Sequence, residues 1–140
     1  MIFWDTSALV RCYSKSESGH GRAANLLASR ERQSGSVILL PESIGALARM
    51  AGSDGALRDK VLKDVRSALA EFDLLSADIA QGELAARFAV EHHLRGADAL
   101  HVAAAFLLSK ELGRGLRFVT SDVEQAAAAR SEKLRVILVN

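Results

Sequence analysis

Arg95-Gly-Ala-Asp98-Ala-Leu-His101-Val-Ala-Ala-Ala-Phe-Leu-Leu108 is the stretch around which the rest of the chain must be arranged. Eleven of these residues suit a protein core. A helix so nearly apolar must be packed on most sides, which makes it a central element rather than a surface one. Asp98 is the misfit, because Asp is almost never fully buried unless something pairs with it. It is either an unusual cap or the centre of a site.

Outward from this helix, short apolar runs alternate with helical patterns. Upstream, Asp78 is placed to cap a helix that carries Ile79, Leu84, Phe88 and Val90 and runs to Gly96. Downstream, residues 116–120 read as a strand halting at Thr120-Ser121-Asp122, then an Ala-rich helix at 123–130 and a closing strand at 134–139. At the other end, Ile2-Phe-Trp4 is a buried strand that meets Asp5-Thr6-Ser7, with Thr6 or Ser7 able to cap a helix starting near Ala8. Residues 22–33 read as a helix with Ala23, Ala24 and Leu27 inward. Residues 37–40 (Val-Ile-Leu-Leu) are the next apolar run, taken as a strand, and Pro41 then opens a helix to Arg49. Leu57, Val61, Val65, Ala68, Leu69 and Phe72 recur at helical spacing, and Leu74-Leu75 is at most a short strand. This alternation predicts an α/β fold, a mostly parallel central sheet with helices on both faces, in a single domain spanning 1–140.

Composition narrows the class. With 49% hydrophobic and 25% charged residues, the 140-residue chain is an ordinary globular mix, not a disordered one. No apolar run reaches the ~20 residues that cross a bilayer, and Met1–Asp5 lacks the basic start of a signal peptide. Cys12 is the single cysteine, which excludes an intramolecular disulfide and fits a cytoplasmic location. A net charge of +1 neither announces nor excludes a nucleic-acid partner.

The acids carry the functional reading. Asp5 follows the first strand, Glu42 the run at 37–40, and Asp122 the strand at 116–120. In an open parallel sheet the carboxyl ends of the strands share one edge, and ligands bind there. Asp98, at the start of the apolar helix, is placed to be the fourth. Two carboxylates ~5 Å apart at an effective dielectric of ~20 repel by roughly 3 kcal/mol. A pocket of several persists if some are protonated or if a cation is bound. Mg²⁺ prefers oxygen ligands and keeps several waters, and a metal so held supports phosphodiester hydrolysis. The plainer alternative is that Asp5, Asp98 and Asp122 cap helices.

Four segments together resemble the PIN domain, and within it the toxin ribonucleases of the VapC type. They are Phe3-Trp-Asp-Thr-Ser-Ala-Leu-Val10, Glu42 with Ala46-Leu47 and Arg49, His93-Leu-Arg-Gly-Ala-Asp-Ala-Leu-His-Val-Ala-Ala-Ala105, and Phe118-Val-Thr-Ser-Asp122. The resemblance implies a metal-dependent endoribonuclease with an acidic Mg²⁺ or Mn²⁺ pocket, a homodimer, an RNA substrate and a cognate antitoxin. Carried onto this sequence, it makes Asp5 and Asp98 direct metal ligands. Glu42 and Asp122 complete the site, and Thr6 and Thr120 are supporting hydroxyls. One departure is that Val123-Glu124-Gln125, after the fourth acid, lacks the Leu usual in the family.

Other residues admit plainer readings. His92-His93 end a helix without a spaced metal partner, and His101, three residues after Asp98 on the same helix face, reads as a core or interface histidine. Arg11 and Lys15 either touch phosphates or form a solvated face, and the 58–66 charge run is solvated. The Ala23, Leu26 and Leu27 stripe is either core or part of an antitoxin groove. Two further functions remain open: a phospho-accepting receiver or phosphatase-like domain, and an inactive PIN-like module that binds RNA or a partner. Against the phosphatase, Ser7 stands where a second acid is wanted.

Overall fold

In a computed structural model, which describes residues 1–140 apart from the side chain of Arg114, Ile2–Trp4 (β1) is the middle strand of one five-stranded sheet. It pairs with Gln33–Ser36 (β2) on one side and Arg117–Thr120 (β4) on the other. Asp73–Leu75 (β3) and Arg135–Leu138 (β5) complete the order β3-β2-β1-β4-β5. Every pairing is parallel, so the sheet is wholly rather than mostly so, and all carboxyl ends lie along one edge.

Seven helices cover both faces. Ile2 and Trp4 point to one core with Val119, while Phe3 and Phe118 point to the other, the period of two expected of a strand buried on both sides. The first core receives Thr6–Arg11 (α1), His20–Leu27 (α2), Leu39–Ala51 (α3) and Gly55–Leu69 (α4). The second receives Ile79–Glu91 (α5), Gly96–Leu112 (α6) and Val123–Ser131 (α7). Ala99, Val102, Ala103, Ala104 and Ala105 of α6 are all wholly buried. Their small side chains let α6 lie close against α5, α7 and β2, which anchors Asp98 on a rigid element. Leu26 and Leu27, partly buried, pack against the first core beside buried Ala23.

The second strand departs from expectation. Residues 37–40 are not a strand: β2 is the polar segment Gln33–Ser36, and the helix expected at 22–33 stops at Leu27. Short apolar runs fit a buried helical turn as well as a strand, and here Leu39, fully buried, opens α3. The strand itself is built from small residues because its neighbours crowd it. A Cβ on Gly35 would lie 2.6 Å from Leu39 Cδ2, and the buried Ser34 hydroxyl is satisfied by donating to Ile2 O at 2.9 Å. Trp4 Nε1 donates to Gln33 Oε1 at 2.6 Å, tying the two strands through side chains. Two smaller corrections follow. Asp5, not Thr6 or Ser7, caps α1. Glu42 lies in the first turn of α3, not directly behind its strand.

Candidate active site

Asp5 leaves β1 at the carboxyl edge and is almost entirely buried. Its Oδ2 accepts from Ser7 N at 3.0 Å, from Thr120 Oγ1 at 3.1 Å and from the Ser7 hydroxyl. Its Oδ1 accepts from Gln125 Nε2 at 3.1 Å. These donors replace the water lost on burial. Asp122 begins α7 as its cap, accepting from Gln125 N at 2.9 Å. Glu42 reaches in from α3, and its Oε2 accepts from Thr6 Oγ1 at 2.6 Å and from His101 Nε2 at 2.8 Å.

Asp98 is no cap. Arg95 occupies the cap position of α6 without a side-chain bond, and the nearest donor to the Asp98 carboxylate is Gln125 Nε2 at 3.5 Å. The half-buried group is held above the usual carboxylate range, first by desolvation and then by the charges of Asp5 and Asp122, against the pull of His101 and Arg95. The Thr6 and Thr120 hydroxyls bond Glu42 and Asp5 respectively.

His101 links the two halves of the pocket. It is buried, within 3.8 Å of Asp5 Oδ1 and bonded to Glu42. Burial opposes its protonation, but the Glu42 hydrogen bond and the charges of Asp5, Glu42 and Asp98 outweigh that and raise its pKa. Glu42 is lowered, chiefly by the His101 bond. Both shifts favour a proton held on Nε2 toward the Glu42 carboxylate. His101 Nδ1 is buried without a partner among the described residues.

All four acids line one open cavity of about 360 Å³, with Arg11 and Glu17 at its side. Arg11 bonds the Ser18 carbonyl and lies 3.5 Å from Glu17. Larger clefts elsewhere are not lined by this cluster; one, about 670 Å³, has mostly apolar walls between α3, α4 and the turn after α1. The pocket's ligand atoms are all oxygens apart from His101, a donor set suited to a hard divalent cation. No three of these acids bring ligand oxygens within 4.8 Å of one another; among the described residues only Glu91, His92 and Glu132 do so. Such spacing suits a hydrated ion held by one or two carboxylates more than a closed protein cage. Sequence reading assigned Glu17 and Gln125 no role, weighed Ser7 as a helix cap, and read His101 as a core or interface histidine. The spacing of Asp98 and His101 on one helix face was the one available signal.

Comparison with known proteins agrees with the fold. The family model described as PIN domain matches residues 2–134. A toxin–antitoxin complex from Klebsiella pneumoniae is similar at 18% identity and a TM-score of 0.69, covering 100% of this chain and 98% of that one. VapBC2 from Rickettsia felis, bound to a DNA fragment from its promoter, gives 14% and 0.69 with both chains fully covered. PAE2754 from Pyrobaculum aerophilum gives 27% and 0.60, covering 91% of this chain and 83% of that one. No curated protein sequence matches significantly. Family and fold agree over nearly the whole length: the chain belongs to the PIN domain family.

Proposed function

We propose that this protein is a Mg²⁺- or Mn²⁺-dependent endoribonuclease acting as the toxin of a toxin–antitoxin pair, a cytoplasmic homodimer whose pocket is closed off by its cognate antitoxin. The observation that carries the reading is Asp98: a half-buried carboxylate with no capping role, facing Asp5 and Asp122 across one cavity. Such an arrangement is costly unless a cation neutralises it. Support for the toxin assignment comes from PIN family membership and from the Klebsiella complex, whose description names a toxin and its antitoxin. The strand order 3-2-1-4-5 differs from the 2-1-3-4-5 order of receiver folds, which disfavours a phospho-accepting module.

In this reading Asp5 and Asp98 are the direct ligands. Asp5 is held rigid by Ser7, Thr120 and Gln125, and Asp98 by the packed α6. A divalent ion held there would supply phosphoryl polarisation and water activation. Glu42, bonded by His101 and Thr6, would orient a nucleophilic water, and Asp122 would complete the acidic wall. Arg11, beside the pocket, offers a positive charge to the RNA backbone. Purified protein should cleave a structured RNA only with Mg²⁺ or Mn²⁺. Undiminished cleavage in EDTA, or by Asp5→Ala, would sink the mechanism.

A further inference from the structure

Gln125, buried behind the acids, has a chemistry that the acids alone do not explain. It sits in the first turn of α7, wholly buried, where an apolar side chain of similar length would cost nothing in solvation. Instead its Nε2 donates to Asp5 Oδ1 at 3.1 Å and lies 3.5 Å from Asp98 Oδ1 and 3.4 Å from the Asp98 carbonyl. Its backbone N–H is capped by Asp122. Gln125 therefore touches three of the four acids, and its donor lies between the two carboxylates from β1 and α6.

The other end of the amide is equally informative. Oε1 is buried and has no partner among the described residues, a state that costs stability. Turning the amide over would place Oε1 against two carboxylates, which is worse, so the acids fix its orientation. The bridge is also neutral at every pH, unlike a Lys or His in its place. It joins Asp5 and Asp98 without adding a charge.

We propose that Gln125 is a positioning residue: its amide spans Asp5 and Asp98 and sets the separation at which those carboxylates take the divalent cation. The inference rests on the metal-site reading above. It assigns Gln125 an effect on metal affinity and none on the chemical step. Loss of a group that orients a ligand from outside typically weakens metal binding by about 10–100-fold.

The test is Mn²⁺ titration of the whole chain followed by electron paramagnetic resonance, comparing wild type with Gln125→Leu and Gln125→Glu. Gln125→Leu should weaken Mn²⁺ binding by about 10–100-fold and raise the Mg²⁺ needed for half-maximal RNA cleavage, while the rate at saturating Mg²⁺ stays close to wild type. A folded Gln125→Leu protein that binds Mn²⁺ as tightly as wild type overturns the proposal, as does one whose rate stays low at saturating metal. Gln125→Glu covers the case in which Leu does not fold. A third carboxylate there should lower the metal-free melting temperature, and saturating Mn²⁺ should raise it by more than in wild type. A deficit that Mn²⁺ leaves unchanged also overturns the proposal. Should wild type itself bind no Mn²⁺, the metal-site reading fails first, and the two failures are told apart.

Discussion

The two edges of the sheet carry charges in opposite ways. At the amino edge two acids meet cations: Arg32 donates from Nε and Nη2 to Asp73 Oδ2, and Glu31 pairs with Arg117 and the chain's own N-terminus. Glu31 is lowered mainly by its Arg117 bond, as a paired surface carboxylate should be. At the carboxyl edge Asp98 is raised, first by desolvation and then by the charges of Asp5 and Asp122, with His101 and Arg95 pulling the other way. His101 is committed to Glu42, and Arg11 is turned toward Ser18 and Glu17. Paired acids at one edge serve the fold. Opposed acids at the other cost stability, and a cost kept in place points to function.

The largest effects should separate the edges completely. Asp98→Asn should reduce metal-dependent RNA cleavage by on the order of 10²–10³-fold, the size of loss that follows removal of one preorganised electrostatic group from a reacting centre. Asp73→Asn should leave the rate unchanged; a comparable loss in both would erase the distinction. Next in size is metal-linked stability. Mn²⁺ at a hundredfold excess over its Kd should stabilise the protein by about 2.7 kcal/mol. Differential scanning calorimetry would show this as a rise in Tm that Asp98→Asn abolishes. Without metal the same substitution should act the other way, raising Tm by roughly 3–5 °C if the relieved repulsion is ~1 kcal/mol. A lower metal-free Tm for Asp98→Asn would mean that the carboxylate supports the fold after all.

The pH profile follows from the same shifts. Glu42 is lowered, so its contribution is present above its unfolded value and is lost as pH falls through the depressed one. His101 is raised, so its contribution is complete below its unfolded value and is lost as pH rises through the raised one. The raised Asp98 adds a penalty that grows as it ionises. Metal-free protein should therefore melt highest in the mildly acidic window between the ordinary glutamate and histidine values, where both contributions are complete. Glu42→Gln should move the alkaline decline to lower pH, and an unshifted decline would show that the His101–Glu42 pair is not its source.

How far the sequence revealed this depended on whether a residue's role was local. Asp98 was legible because a carboxylate on an apolar helix breaks a local rule, and the edge position of Asp5 and Asp122 followed from strands that end abruptly. Gln33–Ser36 was not legible as a strand. Its small polar residues are selected by the crowding of Leu39 and by a hydrogen bond to Ile2, contacts that cross the sheet. Gln125 was hidden for the same reason, since in sequence it is only a polar residue on an Ala-rich helix. His101 was read as a core or interface histidine and is buried, but its partner was hidden: Glu42 lies 59 positions away, and no spacing rule joins them.

The smallest effect belongs to the amino edge and sharpens the contrast most. Arg32 and Asp73 are both largely exposed, with side chains 71% and 53% accessible. Pairs of this kind are worth about 0.2–1 kcal/mol, because water screens the attraction and ordering two side chains opposes it. A double-mutant cycle of Arg32→Ala and Asp73→Ala should give a coupling in that range, weakened further by salt as the Debye length shrinks from about 10 Å at 0.1 M to about 3 Å at 1 M. Salt should have less effect on the metal-free gain from Asp98→Asn, because burial limits screening. Equal salt sensitivity at the two edges would mean that the pocket is as solvated as the surface, and Asp98 would then have no electrostatic reason to await a cation.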